Sequence, residues 1–405
     1  MFENIISQDH VISLLSQDIR EDKLPSSLLF CGNDYTGKLS TALELGRVLS
    51  CEEGSAQWDC PCKACEMHRL LIHPDTLMMG SRYFAEEIAA SASTLMRTRQ
   101  RSAQYLFVRA VRKLTRRFDP AFTEMQDSRF KRAQADLAFL EENIHDFEPG
   151  AELPDQRSLE KRLLDMVNKA ARIDEGMRGE SIQIDSIRRA SAWAHLKGTR
   201  NSRLIILENA DRMSDGAKNA LLKILEEPPS GVFLVLLTTR REAIIPTILS
   251  RVRQYQFVQR TEDQETEVIR KIFRDEPDGE VRQRSLRDYL FGFFQVDIAT
   301  VRNDAAKFLS MLLEPESFSS EEFALIVERE RDDRFFKPFL EEVSRSIRSM
   351  FATDPAFPAP DPIVRVATCK KWNTLLSQTV SERELYNLNP SLLLEGLFYQ
   401  MRETV

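Results

Sequence analysis

No apolar run in the sequence approaches the ~20 residues needed to span a bilayer. The opening stretch, MFENIISQDH, also lacks the basic and apolar regions of a signal peptide. A cytoplasmic location is therefore expected. Positive charge is not in excess: 56 Lys and Arg stand against 63 Asp and Glu, a net charge of −7. That balance excludes a generally basic nucleic-acid coat and leaves any DNA contact to a local patch or to partner chains. Cysteine is sparse, six residues in all, yet Cys51, Cys60, Cys62 and Cys65 crowd together while Cys31 and Cys369 stand alone. In a reducing compartment such a cluster reads as a metal site before it reads as disulfides.

What is present begins with a phosphate-gripping loop that lacks one part. Residues 26–51 read SSLLFCGNDYTGKLSTALELGRVLSC: a short apolar strand, a loop bounded by Gly32 and Gly37, and then apolar residues at helical spacing. The pattern G-x-x-x-x-G-K-[ST] asks for a hydroxyl after Lys38 to ligate Mg²⁺, and Leu39 stands there instead. A second apolar strand, Leu204–Leu207, ends in Glu208-Asn209. Glu208 can stand near Mg²⁺, but Asn209 carries an amide where a base is needed and accepts no proton at neutral pH. Two independent defects imply that hydrolysis is weak or absent.

At 405 residues the chain exceeds what one core usually organises, so two or three domains are expected. Strands alternating with helices, through SIQIDSIRRASAWAHLKG, RLIILENADRM and VFLVLLTT, imply a parallel sheet with helices on both faces. Ser214 is placed to cap the helix that Pro228–Pro229 end. The stretch of about 80–178 is different: charged, nearly free of glycine and helical in period. Within it, Arg97 to Arg117 holds eight basic residues and no acid. Such a stripe suits DNA phosphates, an acidic partner or simply a solvated helix face. Beyond Arg251 and the strand-like QYQFV, the pattern is all helical.

The run NADRMSDGAKNALLKILEEPPSGVFLVLLTT, followed by ILSRV, resembles the clamp-loader subunits of bacterial DNA polymerase III. The likeness extends to FENIISQDHVISLL, to the cysteine cluster with His73-Pro74-Asp75, and to IQIDSIRR; it covers most of residues 1–80 and 180–258. With Leu39 and Asn209 as lesions, the chain resembles delta-prime subunits more than gamma/tau motors, whose sites are intact. The resemblance implies an AAA+ domain over 1–252, with a zinc module at about 51–65 and the helical insertion at about 80–178. A helical lid over 253–305 and a helical oligomerisation collar over 306–405 would follow. It implies a non-hydrolysing accessory subunit of a DNA-directed DNA polymerase holoenzyme, helping to load the sliding clamp onto primed DNA. Gamma/tau and delta subunits, the clamp and primer-template DNA, reached through the assembled complex, are then the partners.

The resemblance also assigns roles. Gly32, Gly37, Lys38 and Glu208 form a degenerate ATP site in which passive ATP binding is left open. Thr238 and Thr239 hold the sensor position. Arg251, in Ser250-Arg251-Val252, matches the arginine that the family projects into a neighbour's ATP site. The family spacing C-x8-C-x2-C-x2-C is one residue shorter here between Cys60 and Cys62, which leaves His68 open as a replacement Zn²⁺ ligand. Two other readings stay open: an ATP-hydrolysing gamma/tau-type motor, and a stand-alone zinc-containing DNA-binding protein.

Overall fold

The structure is a computed structural model, described for residues 1–405 except 81–83, 120–127, 178–180, 197, 199–201, 277–284, 294–297, 315, 317, 332, 355–356, 359–360, 387 and 405. The chain divides into two compact units, Met1–Phe293 and Phe294–Val405. The division falls inside the stretch read as a lid.

The first unit is built on helix α1 (Asp9–Arg20), strand β1 (Ser27–Cys31), α2 (Lys38–Leu49), α3 (Lys63–Arg69) and β2 (Thr76–Met79). Four long helices follow: α4 (Ala85–Thr98), α5 (Arg101–Thr115), α6 (Ser128–Asn143) and α7 (Gln156–Met177). Then come α8 (Ile184–His195), β3 (Arg203–Leu207), α9 (Asp215–Glu226), β4 (Val232–Thr238), the short α10 (Pro246–Leu249), β5 (Arg253–Gln256), α11 (Glu262–Ile272) and α12 (Leu286–Phe291). All strand pairings are parallel, in the order β2-β3-β4-β1-β5. β1 sits between β4 and β5, with Leu29 opposite Leu236 on one side and Gln254 on the other. The sheet thus continues to Gln256, past residue 252. A strand was expected in SIQID; only Ile182 makes a bridge, to Met213, because Gln183 already caps α8.

Strand alternation sorts the core into two layers, since successive side chains leave opposite faces. Phe30, Ile206, Val235 and Leu237 face one cluster; Leu29, Ile205, Leu207, Leu234 and Leu236 face the other, under α8 and α9. Ser214 Oγ accepts the Ala217 N–H at 3.2 Å and starts α9 as its sequence predicts. The first cluster holds the surprise. Phe107, Val111 and Leu114 of α5, with Leu163, Met166 and Ile173 of α7, lie in the same core as Phe30 and Ile206.

Most of the basic stripe is accordingly tied into the protein rather than presented as a solvated face, although Arg97, Arg99 and Arg101 at its start are exposed. Arg112, Lys113 and Arg117 are buried. Arg112 pairs with Glu148, Lys113 with Glu87 and Arg117 with Glu208, while Arg97 reaches Asp275 at 2.7 Å. Arg109 donates to the His68 and Arg69 carbonyls at 3.1 and 2.9 Å. The stripe holds no acid of its own because its acids come from other elements.

The second unit is helical: α13 (Ile298–Leu313), α14 (Ser320–Glu330), α15 (Asp333–Thr353), α16 (Pro362–Tyr386) and α17 (Pro390–Arg402). No helix among the described residues is long and apolar enough to cross a membrane.

Candidate nucleotide site and cysteine cluster

In an open parallel sheet, ligands sit outside the carboxyl ends of the strands. There the turn from β1 into α2 brings Gly32 to Leu39 beside Glu208 after β3 and Thr238 at the end of β4. Gly32 has φ +143°, and a Cβ on it would lie 2.4 Å from the Phe257 carbonyl oxygen. Gly37, at φ +93°, opens α2. Both positions need the glycine. A cavity of about 340 Å³ opens over the loop, lined by Lys38, Glu208, Asn209, Thr238 and Thr239 together with residues of α5, α11 and α12.

The expected site residues do come together, but each is already engaged. Lys38 Nζ donates to the Gly32 and Asn33 carbonyls at 2.6 and 2.5 Å, folding back on its own loop. Leu39 packs into the core and also borders the cavity, offering carbon where a Mg²⁺ ligand would have to offer oxygen. Thr238 Oγ1 donates to Asp211 at 2.7 Å, and Asp211 is also paired with Arg240 at 3.0 Å.

Two arginines that the sequence reading did not single out complete the site. Arg117, carried on the turn after α5, pairs with Glu208, and both side chains are nearly inaccessible. Its guanidinium carbon lies 4.8 Å over the Phe84 ring. Arg260, just before α11, donates to the Tyr35 carbonyl and, at 2.9 Å, to the Ile6 carbonyl, pinning the phosphate loop from outside. Burial pushes its pKa down, with Glu265 opposing. The eight-residue excess of base over acid in 97–117 was the available signal for Arg117; nothing local marked Glu208, 91 residues away, as its partner.

The Mg²⁺ that a P-loop normally carries does not fit these residues. Leu39 supplies no oxygen, and the Glu208 carboxylate is neutralised by a buried guanidinium that has no water to retreat to.

The cysteines form a separate centre beside the same cavity. The sulfurs of Cys51, Cys60, Cys62 and Cys65 all lie within 4.8 Å of one another, with Cys51 and Cys60 3.7 Å apart. A tetrahedral S₄ site with bonds of ~2.3 Å has edges of ~3.8 Å, so the set fits a metal ion despite its shortened spacing. Burial pushes the Cys62 thiol up, but N–H donors from Cys65 and Glu52, with its neighbouring thiols, outweigh that and bring it to about 7. His68 is not needed as a ligand. It lies outside the cluster, stacked on His73 at 4.1 Å, and burial, with His73, Arg109 and Arg47 nearby, holds its pKa well below the usual range. Arg47 ties the cluster to its surroundings, donating to Cys65 Sγ at 3.4 Å and the Gln57 carbonyl at 2.6 Å. Trp58, from the cysteine loop, lines the cavity with Arg47 and Arg109 guanidinium carbons 5.7 and 5.6 Å from its ring.

Arg251 stands elsewhere. It follows α10 rather than a strand, is exposed, and donates to Glu226 and to the Thr247 carbonyl, both at 2.8 Å. Glu226 belongs to the LEEPP run that ends α9, so the two most family-like motifs hold each other at the surface.

A parallel sheet with a phosphate loop at the end of β1 and acidic and threonine ends on β3 and β4 has the layout of a P-loop nucleotide-site scaffold. The sequence matches the family "DNA polymerase III, delta subunit" over residues 7–126 and 132–261, and the chain belongs to that clamp-loader family. Those spans include most of residues 80–178, so the helices expected to be an insertion without counterpart in the family lie within the family match. Among curated relatives, the chain is 42% identical over 55 residues to DNA polymerase III subunit gamma/tau of Mycobacterium bovis, 14% of this chain and 10% of that protein. It is 31% identical over 83 residues to DNA polymerase III subunit delta' of Bacillus subtilis, 20% of this chain and 25% of that protein. The matches thus span a quarter or less of these relatives' lengths. A DNA polymerase III gamma subunit-related protein of Thermotoga maritima is similar at 21% identity with a TM-score of 0.31, over 56% of this chain and 81% of that one.

Proposed function

We propose that the chain is a delta-prime-type clamp-loader subunit: a ring member that hydrolyses no ATP itself and helps load the sliding clamp onto primed DNA alongside gamma/tau and delta subunits. The Arg117–Glu208 pair carries the reading, because a carboxylate held by a buried guanidinium can neither place Mg²⁺ nor help activate water. Leu39 and Asn209 act in the same direction. The cysteine cluster takes Zn²⁺ as a structural ion, chosen by its four thiolates. Arg251 would leave Glu226 and enter a neighbour's ATP site, where a planar guanidinium binds charge spread over the γ-phosphate oxygens.

A loader reconstituted with gamma/tau and delta tests this. Lys38→Ala should leave its clamp- and DNA-stimulated ATPase unchanged, whereas Arg251→Ala should remove the share of the one site this subunit serves and slow clamp loading further. The gamma/tau identity of the mycobacterial match favours the motor reading instead. Turnover by the isolated chain, abolished in Lys38→Ala, would establish that reading and defeat the proposal.

A further inference from the structure

We infer that the cavity over the phosphate loop binds a nucleoside di- or triphosphate as the metal-free anion, with protein cations doing what magnesium does elsewhere. This rests on the reading of the site as non-hydrolysing. The loop retains what grips phosphate through the backbone: the left-handed Gly37 and the start of the twelve-residue α2. Around it, Lys38, Arg109, Lys113, Arg260 and Lys271 line one cavity. Of its three acids, Glu208 is matched by Arg117 and Glu87 by Lys113, so these two do not oppose an entering anion as bare carboxylates would; the third is Asp34, on the loop itself. Part of the wall is apolar, with Ile6, Val268, Ile272 and Leu290 providing a surface for a base, and the volume of about 340 Å³ lies in the range of small-molecule sites.

Magnesium has no place in this arrangement. To use Glu208 it must displace Arg117, whose buried guanidinium would lose its carboxylate. Arg117, which does not itself line the cavity, thus offsets the Glu208 charge from behind as a permanent part of the chain. Lys38 exchanges its two loop carbonyls for phosphate oxygens when the ligand enters.

The experiment titrates ATP, ADP and pyrophosphate into the full chain by calorimetry, in EDTA and again in excess Mg²⁺. The expected result is nucleotide binding in EDTA, weaker in excess Mg²⁺ because the cation takes up the free anion, and weaker by about tenfold or more in Lys38→Ala, the loss of a charge-assisted bond. Arg117→Met frees Glu208, and Mg²⁺ should then strengthen binding; a merely structural role for Arg117 would not create a magnesium response. Should that variant fail to fold by circular dichroism, Glu208→Gln keeps Arg117 and should bind nucleotide in EDTA at least as tightly as the unaltered chain. Binding seen only with Mg²⁺ would overturn the inference, as would no binding of either nucleotide. Pyrophosphate binding as tightly as ADP would overturn the nucleotide assignment. Silence in every titration leaves the non-hydrolysing ring role standing, while magnesium-dependent binding with turnover defeats both.

Discussion

Removing the metal from the cysteine cluster should loosen residues 51–65 and leave the sheet intact. Within that segment, the side chains away from solvent are Ala56, Cys60, Cys62, Ala64 and Cys65, while residues 52–55, 57 and 59 are exposed. Two alanines cannot supply a core, so the four sulfurs must be held by something stronger than packing. In isolated zinc-finger peptides the apparent metal-binding energy is about 10–16 kcal/mol, much of it folding energy. Here Arg47 and Arg69 anchor the Ala56, Gln57, Trp58 and Cys60 carbonyls at 2.6–2.8 Å, so part of the backbone path is held without metal. The effect should therefore be local. Elemental analysis should find about one zinc per chain, as four thiolates require, and Cys62→Ser should lose it. Amide exchange by mass spectrometry should then accelerate in 51–65 and stay slow in β1, β3 and β4. Metal content unchanged by every one of the four Cys→Ser substitutions would refute the reasoning, and so would exchange that rose equally across the sheet.

Two further outcomes follow from buried charge. Restoring Leu39→Thr and Asn209→Glu together should give no measurable ATPase, because displacing Arg117 from Glu208 costs about 3–5 kcal/mol. That is about two to three and a half powers of ten in metal occupancy. Adding Arg117→Met should raise turnover at least about tenfold over the double variant, and equal rates in the two would show the pair to be irrelevant. In the second unit, burial and the neighbouring Asp304 charge push Glu330 up to about 8, against the opposing Arg329. A carboxyl raised from its usual 4.5 stabilises the fold fully below that value and loses the contribution as pH rises towards 8. Urea unfolding followed through Trp372, the second unit's tryptophan, should therefore weaken by a few kcal/mol from pH 5 to 8, and Glu330→Gln should flatten the trend. Parallel slopes for the two proteins would contradict this.

The strands β1, β3 and β4 and the phosphate loop were legible because their information is contiguous: an all-apolar run such as Leu28–Phe30 leading to Gly32 needs no distant partner to be recognised, whereas the short β2 was not read and the strand expected in SIQID is only a bridge. Leu39 and Asn209 stood out for the same reason, as departures from a local pattern. The function of the basic stripe was not legible, since its meaning depends on Glu87, Glu148 and Glu208, spread over more than a hundred residues. Periodicity shows that α5 has a charged face. It does not show that long arginine side chains can cross to carbonyls on a neighbouring loop, as Arg109, Arg112 and Arg116 do at His68, Leu70 and His73. Arg251 was singled out by its flanking residues alone, and its partner Glu226 was not, because a surface ion pair between two motifs leaves no spacing rule. The four cysteines were read correctly as a set, and the spacing that looked one residue short is absorbed where Cys62 turns the chain into α3.

The helices between β2 and β3 have a practical consequence for anyone who would dissect the molecule. A stretch expected to be an insertion is easily thought of as a graft that can be cut off, yet this one lies within the family match and is part of the trunk. Excising about 80–178 would strip Phe107, Leu114 and Ile173 from around Phe30 and Ile206, and it would leave Glu208 without its guanidinium. Such a truncation should yield insoluble material rather than a smaller nucleotide-binding domain. The cut that respects the packing lies near Phe293, where the two compact units part, and a fragment ending there would carry the phosphate loop, the cysteine cluster and Arg251 together.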